Sequence, residues 1–312
     1  MEIYNTAKEF KPSSGTVVTI GTFDGVHLGH RKIMQRLIES GKTNGLSSLV
    51  LTFFPHPRMV LQQDSDIRLI NTIEERKRLL EATGIDQLIV HPFTREFSRL
   101  SAESFVENIL VNRLKARKVI IGYDHHFGRN RNANIDDLKR FGESFDFEVE
   151  EISKQDIDDV AISSTKIRRA LEAGDIDLAN TYLGYPFMLS GSVVEGKQIG
   201  RTIGYPTANL QIAEPYKLIP ASGIYVVKAQ VGEQSIYGMT SIGTNPTVGG
   251  THQTIETFFF DFDQDLYQQP LQIELLTRIR DEQKFSSVSV LVAAMQRDEE
   301  FSRRFIQNYE AE

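Results

Sequence analysis

The sequence predicts two domains of different class: an α/β domain with a parallel sheet, then an antiparallel β-barrel followed by a C-terminal helix. With 312 residues the chain is long for a single hydrophobic core. Its first half alternates short apolar runs with helical patterns, whereas most of its second half has strand-like runs without helices between them. We expect the domains to span residues 1–183 and 184–312.

The composition is that of an ordinary globular protein, with 40% hydrophobic and 25% charged residues. A net charge of −7 argues against a surface built to bind the nucleic-acid backbone. The absence of cysteine excludes disulfides, thiolate zinc ligands and cysteine nucleophiles. Neither a leader-like segment nor a long apolar run is present, so we expect a soluble cytoplasmic protein with no membrane or nucleic-acid partner. Homo-oligomerisation stays open.

Continuous β-rich runs in the first half are typical of strands buried on both faces of a parallel sheet. They cover residues 17–20, 48–53, 87–90 and 118–121. One intervening helix is predicted to begin at Thr72, which has capping-box spacing with Glu75, and to stop near Gly84. Another is predicted from Ser101 to about Lys115.

Short strands joined without helices favour an antiparallel barrel in the second half. After helical patterns at 163–173 and 175–183, the strand-like runs cover 187–194, 223–227, 257–262 and 271–279. A last amphipathic helix is predicted to pack against the barrel. Its apolar positions include Val290, Ala294, Phe301 and Phe305.

The most informative stretch is residues 21–30, which read Gly-Thr-Phe-Asp-Gly-Val-His-Leu-Gly-His and join the first strand to a helical pattern. His27 and His30 are three apart, so they can share one face of the first helical turn. Unpaired N–H groups at a helix start favour anions, and glycines let a phosphate approach the backbone. The candidate phosphate-binding residues here are Gly21, Phe23, Gly25, His27, Gly29 and His30.

Simpler interpretations of this loop fit its context less well. A glycine turn with two solvated histidines is the ordinary alternative, but ligands of open α/β sheets bind at the carboxyl ends of strands. The loop lacks the Gly-Lys-Ser/Thr ending of a Walker motif. No third ligand stands at a spacing typical of zinc sites.

Three further segments fit the same pocket. Phe-Pro-His-Pro at 54–57 and Gly-Tyr-Asp-His-His-Phe-Gly at 122–128 end the second and fourth strands, although each alone is more often a polar loop. Ile-Ser-Ser-Thr-Lys-Ile-Arg at 162–168 puts hydroxyls and a guanidinium near a helix start. Plain N-capping explains that segment equally well, but beside the others it predicts a triphosphate clamp.

Together the 21–30 and 162–168 signatures resemble the nucleotidyltransferase module of the bacterial bifunctional riboflavin kinase/FAD synthetases. The resemblance implies a Rossmann-like α/β/α fold in which the FMN phosphate attacks the α-phosphorus of ATP and pyrophosphate leaves. It implies that His27 and His30 stabilise the ATP phosphates. The other side of the triphosphate is then held by Ser163, Ser164, Thr165 and Arg168. The residues near the flavin or nucleotide are then Phe54, His56, Asp124 and Phe127. His125 and Ala133 depart from the aromatic residue and the glycine that are usual there.

A second constellation follows in the other half. The glycines of its first loop, Gly196, Gly200 and Gly204, are by themselves consistent with a simple hairpin. Pro-Thr-Ala-Asn at 206–209 is more specific, because Thr207 and Asn209 would point to one face of a strand and offer hard oxygen ligands suited to Mg²⁺. Glu256 lies among apolar and aromatic neighbours, and its ordinary alternative is an outward-facing strand residue.

These signatures, in this order, resemble the riboflavin kinase barrel of the same family. The resemblance implies Thr207 and Asn209 at Mg²⁺ and the ATP phosphates, and the 196–204 loop folded over the nucleotide. It implies Glu256 as the base for the ribityl 5′-hydroxyl, and Arg280 at the border of the flavin. Gln268 and Phe258 stand where a glycine and a histidine are usual.

The resemblance covers residues 15–308 and implies phosphorylation of riboflavin to FMN, followed by adenylylation of FMN to FAD. Two alternatives stay open: a kinase whose first module adenylylates another small phosphate, and a flavin-sensing protein that has lost turnover. A mere binder has no need of a base and metal ligands together, which favours the enzyme. Flavin binding without ATP consumption would favour the sensor.

Overall fold

The computed structural model describes residues 1–62, 66–122, 125–153, 162–196, 200, 204–247 and 250–311, with only the backbone described within 244–252. The chain forms two compact units, Met1–Ser164 and Thr165–Glu312. This division precedes the expected boundary at 183/184, because two helices lie with the second unit. None of the helices in the described ranges combines the length and hydrophobicity needed to cross a bilayer.

The first unit is built on a six-stranded parallel sheet. Its strands are β1 (Glu2–Tyr4), β2 (Thr16–Ile20), β3 (Ser47–Phe53), β4 (Gln87–His91), β5 (Ala116–Gly122) and β6 (Glu148–Ile152). The four predicted strands are confirmed as β2 to β5, the buried centre of the sheet. The edge strands were missed because β1 has only three residues and β6 carries three glutamates within its five residues.

Helices cover both faces of this sheet. They are α1 (Leu28–Asn44), α2 (Pro57–Leu61), α3 (Ile73–Glu81), α4 (Ala102–Phe105) and α5 (Ile135–Phe145). The capping box of Thr72 and Glu75 at the start of α3 is confirmed. The start of the helix predicted from Ser101 to about Lys115 is confirmed, but α4 passes into a π-helix, Val106–Val111, and the helical segment ends there. Val106, Leu110 and Leu114 of this segment are fully buried.

The strand order is β1-β4-β3-β2-β5-β6, and the side on which successive strands are added changes at β2. From β2 the chain adds β3 and β4 on one side and later β5 and β6 on the other. Ligands of open α/β sheets bind outside the carboxyl ends of the strands at such a point. The loop after β2, residues 21–27, therefore leaves the sheet at its expected ligand crevice.

The second unit is a closed antiparallel barrel of strand order β10-β11-β8-β7-β12-β9. Its elements are α6 (Ser164–Ala173), α7 (Ile176–Leu183), β7 (Phe187–Val194), β8 (Ala208–Gln211), β9 (Gly223–Val231), β10 (Gln234–Thr247), β11 (Gly250–Phe259), β12 (Pro270–Arg280) and α8 (Val288–Tyr309). The predicted α/β-plus-barrel fold with a C-terminal helix is thereby confirmed. The strand predicted at 257–262 begins earlier and ends at Phe259, before a turn in which Asp261 has φ +53°.

The buried face of α8 differs from the prediction. Its buried residues are Ala294, Asp298, Ser302 and Ile306. Val290 and Phe301, which were expected to face the barrel, are 44% and 45% exposed. The pattern was misread because two of the buried positions are polar.

Candidate active sites

The two predicted histidines lie together at the start of α1. His27 is the N-cap residue, and its Nδ1 accepts a hydrogen bond from the backbone N–H of His30 at 3.4 Å. Their rings stack with centroids 3.6 Å apart, and the edge of Phe23 meets the ring of His30 at 5.2 Å. The loop therefore presents an imidazole pair beside the first N–H groups of a helix, an arrangement suited to anions.

The environment of His30 is unusual for a histidine. Its Nδ1 is buried and has no hydrogen-bond partner within the described ranges. Burial lowers the pKa of His30 well below its usual range, and the nearby charges of His27 and Arg76 lower that pKa further. The imidazole is thus neutral near neutral pH, and it keeps a buried nitrogen that a ligand can satisfy.

The backbone of the loop is held in an uncommon conformation. Phe23, Gly25 and Val26 have φ values of +47°, +90° and +34°. Such values are rare for residues with side chains and persist only where the surroundings fix them. Gly21 leaves the space that Phe23 needs, because an added Cβ would lie 2.9 Å from the Phe23 ring.

A buried ion pair that sequence reasoning missed lies under this loop. Asp24 and Arg76 are 1% and 0% exposed, with 3.3 Å between Arg76 Nη2 and Asp24 Oδ1. The Asp24 carboxylate accepts hydrogen bonds from the backbone N–H groups of Ile70 and Asn71, at 3.1 and 3.2 Å. Arg76 Nη1 donates to the carbonyl oxygen of Thr22 at 2.8 Å. The sequence feature that could have indicated this pair is the carboxylate of Asp24 in a glycine-rich loop.

The hydroxyl-rich segment predicted to clamp the triphosphate contacts this loop through Ser164. Ser164 begins α6, and its hydroxyl donates to the carbonyl oxygen of Asp24 at 2.9 Å. Ser163 directly precedes it. Thr165 and Arg168 occupy the first two turns of α6 and belong to the second unit. Their role at the triphosphate stays a prediction.

The residues predicted near the flavin also take part in local structure. His56 is buried and caps α2, with its Nδ1 accepting a hydrogen bond from the Arg58 N–H at 3.1 Å. Phe54 precedes a cis proline. Phe127 packs in the core and exchanges two backbone hydrogen bonds with Ala133. Asp124 lies outside the described residues. Flavin contact by these residues remains a prediction.

In the barrel, Thr207, Asn209 and Glu256 come together. Asn209 of β8 is the direct cross-strand neighbour of Glu256 in β11, so their side chains share one face. Thr207 Oγ1 lies 3.5 Å from Glu256 Oε2. Since side chains alternate along a strand, this face is opposite to that of the buried Ile255 and Thr257.

The glycines beside this cluster are required by close contacts. A Cβ on Gly196 would lie 2.1 Å from the side-chain nitrogen of Asn209, so the backbone of Gly196 packs on that amide. Gly200 accepts a hydrogen bond from the Tyr205 N–H, and Gly204 has φ +87°. Residues 197–199 and 201–203 of the predicted nucleotide loop lie outside the described residues.

The guanidinium of Arg280 is bound by another side chain of the same unit. Its Nε and Nη2 donate to the Asp298 carboxylate of α8 at 2.9 and 2.7 Å, and its guanidinium lies 5.6 Å from the ring centre of Phe285. This pair joins β12 to α8. A flavin contact of Arg280 remains a prediction. Among the described residues, no cluster of three or more His, Cys, Asp or Glu side chains could hold a metal ion.

Comparisons with known proteins match both halves of the chain. A family model described as FAD synthetase matches residues 9–166, and one described as riboflavin kinase matches residues 183–306. The chain is 37% identical over 295 residues to the bifunctional riboflavin kinase/FMN adenylyltransferase of Escherichia coli (strain K12), covering 94% of each protein. The protein of the same description from Listeria monocytogenes is 37% identical over 296 residues, covering 94% of this chain and 93% of the relative.

The fold is also similar to a solved structure from Streptococcus pneumoniae described as a macrolide-efflux protein. The two chains are 34% identical, with a TM-score of 0.88, and the match covers 96% of this chain and 98% of the other. That description differs from those of the curated relatives, and both family matches agree with the relatives. The histidine loop lies within the first matched range and the Thr207 cluster within the second.

Proposed function

Because this chain belongs to the family of bifunctional riboflavin kinase/FMN adenylyltransferases, we propose that it phosphorylates riboflavin to FMN and adenylylates FMN to FAD. The FAD synthetase domain is N-terminal and the riboflavin kinase domain is C-terminal. The observation that carries the proposal is that each matched range holds its own cluster of phosphate-directed side chains. His27 and His30 form one cluster, and Thr207, Asn209 and Glu256 form the other.

Adenylyl transfer needs little covalent help from the protein. An oxygen of the FMN phosphate forms a bond to the α-phosphorus of ATP, the bond from that phosphorus to the bridging oxygen breaks, and pyrophosphate leaves. Catalysis then consists of positioning and charge stabilisation. His27, His30 and the first N–H groups of α1 supply both to the triphosphate. Ser163, Ser164, Thr165 and Arg168 are proposed as further phosphate ligands.

Riboflavin phosphorylation needs a base, because a primary hydroxyl is a poor nucleophile at neutral pH. Glu256 accepts the proton of the ribityl 5′-hydroxyl, and the oxygen forms a bond to the γ-phosphorus of ATP. The bond from that phosphorus to the β–γ bridging oxygen breaks, and ADP leaves. The 3.5 Å between Thr207 Oγ1 and Glu256 Oε2 supports a site shared by the base and the phosphate ligands.

The donor set in the barrel fits Mg²⁺. This ion prefers oxygen ligands, keeps several waters and is usually held by few side chains together with substrate phosphates. Thr207 and Asn209 offer a hydroxyl and an amide oxygen on the face that carries Glu256, and these two residues would hold the ion. When bound, Mg²⁺ neutralises charge on the phosphates of the nucleotide.

The test is to supply each half-reaction separately. With riboflavin and Mg-ATP the protein should form FMN and release ADP. With FMN and Mg-ATP it should form FAD and release pyrophosphate. Flavin binding with neither ADP nor pyrophosphate release would instead identify a sensor. Adenylylation of other small phosphates but not of FMN would identify the kinase with a different N-terminal substrate.

A further inference from the structure

We propose that Asp24 and Arg76 are positioning residues of the adenylyltransferase site, and that their buried pair fixes the loop that carries His27 to the nucleotide. This inference rests on the proposed function of the N-terminal unit. Neither residue touches the reacting atoms in the proposed mechanism. Both act through the backbone of residues 22–27.

The hydrogen bonds of the pair tie two segments together. Asp24 belongs to the loop and binds the backbone N–H groups of Ile70 and Asn71, just before α3. Arg76 belongs to α3 and binds the carbonyl oxygen of Thr22 in the loop. That oxygen also accepts a hydrogen bond from the Thr52 hydroxyl at 3.1 Å. The loop is therefore fixed from the sheet and from α3 at once.

Stability alone explains this arrangement poorly. A buried ion pair is weak support for the stability of a fold, since a well-packed neutral pair often serves equally well. Here each charged group makes further hydrogen bonds to the backbone. Asp24 accepts them from the segment before α3, and Arg76 donates one to a carbonyl oxygen of the loop. The loop they hold contains Phe23 and Val26 at positive φ, a conformation that needs such external support.

Residues of the loop connect the Asp24–Arg76 pair to His27 and His30. Thr22, whose carbonyl Arg76 holds, is followed by Phe23, and the Phe23 ring packs against that of His30. Asp24 lies three residues before His27, the N-cap of α1. A shift of the loop would therefore move both imidazoles relative to a bound triphosphate. Displacements of about 1 Å can reduce a rate by about 10²-fold.

The test compares the parent with the double variant Asp24→Asn/Arg76→Met in the full chain. Removing both charges avoids leaving one of them buried and unpaired. We expect kcat for FAD formation from FMN to fall by about 10- to 100-fold, while KM for FMN changes by less than about threefold, since the flavin site is left alone. Amide-exchange protection of β3 should stay at the parent level, which a purely structural role would not predict.

A control removes a more exposed ion pair of the same unit. Arg36 of α1 binds Glu150 of β6, and Arg36→Met/Glu150→Gln should leave FAD formation at the parent rate. Arg76→Lys is the second test variant, because it keeps a charge beside Asp24 but loses the planar fork that binds Asp24 and Thr22 separately. We expect an intermediate loss of kcat with intact β3 protection.

The inference is overturned if the double variant keeps β3 protection and its kcat stays within about threefold of the parent, well short of the expected loss. If the double variant loses protection, Arg76→Lys decides. Parent-like kcat in a protected Arg76→Lys protein makes the pair purely structural, and a selective fall in kcat supports positioning. A parent protein that forms no FAD from FMN contradicts the proposed function itself, whatever the variants do.

Discussion

Asn209 and Glu256 face each other directly across two antiparallel strands of the barrel, and Thr207 reaches the same carboxylate. The register between β8 and β11 places these side chains side by side. A slip of one residue would place Ile255 or Thr257 opposite Asn209 and turn Glu256 to the other face. The barrel thus gives Glu256 a specific place beside a hydroxyl and an amide side chain, whereas an isolated strand would leave it an ordinary exposed acid.

Glu256→Gln tests the base directly. The amide keeps the shape and hydrogen bonding of the side chain but cannot take up the proton. We expect FMN formation to fall by about 10²- to 10⁴-fold, the usual contribution of a positioned base. FAD formation from supplied FMN should continue, since that reaction belongs to the other unit.

The two half-reactions should be measured on one preparation of this variant. Glu274→Gln is a matched control, because Glu274 is a half-buried glutamate of β12 that pairs with Lys228 across the sheet. Kinase turnover of Glu256→Gln within about threefold of the parent would remove Glu256 as the base, being well below that usual contribution. Asp261, Asp263, Asp265 or no side chain would then take the role.

Replacing His27 and His30 together with alanine should abolish FAD formation from FMN. The stacked pair lies at the start of α1, where we propose that it contacts the triphosphate. Riboflavin phosphorylation should remain nearly intact and serves as the internal control on the same preparation. Chromatographic quantification of FMN and FAD checks both, and unchanged FAD synthesis would exclude these histidines from the mechanism.

Acid should destabilise the first unit through His30. The fold lowers the pKa of His30 below its usual range, so below about pH 6.5 the unfolded chain binds a proton that the folded chain does not. The free energy of unfolding therefore falls as the pH drops through that range. His30→Gln should remove this part of the pH dependence.

Urea unfolding of the parent and the variant at about pH 7.5 and about pH 5.5, on either side of the ordinary histidine pKa, measures the difference. An identical dependence in the His30→Gln protein and the parent would contradict the burial argument.

The fragment 184–312 should fold and convert riboflavin to FMN with Mg-ATP. A longer fragment, 165–312, should do so with a higher Tm, because α7 is tied to the barrel. Asn180 binds the Leu275 carbonyl oxygen at 2.9 Å, and the Thr277 hydroxyl binds Asp177 at 3.0 Å. Thermal unfolding and FMN formation by both fragments check this. A folded but inactive 184–312 fragment would mean that the boundary or the assignment of the kinase is wrong.

The central strands and the histidine pair could be predicted because their signals are local. A continuous apolar run marks a strand buried on both faces, and a capping residue such as Thr72 marks a helix start within four residues. The spacing of His27 and His30 was enough to predict that they share a helical turn.

Other features depend on partners that are distant in the sequence. Arg76 resembles any exposed helical arginine until the fold places Asp24 beside it. Asp298 is buried on α8 only because Arg280 reaches it from β12. Gln268 has φ +60°, a left-handed backbone conformation that favours glycine and that the sequence does not indicate at a glutamine. Contacts between such distant residues produce no periodic pattern in the sequence from which they could be predicted.

In the proposed function, one chain uses two different phosphorus atoms of ATP in two separate sites. Incubation of the parent protein with riboflavin, Mg²⁺ and ATP labelled at either the α- or the γ-phosphorus tests it directly. The γ-label should enter FMN first and persist in FAD, whereas the α-label should appear only in FAD. A flavin product that never acquires the α-label, or α-label that arrives without any γ-label, would contradict the use of two sites.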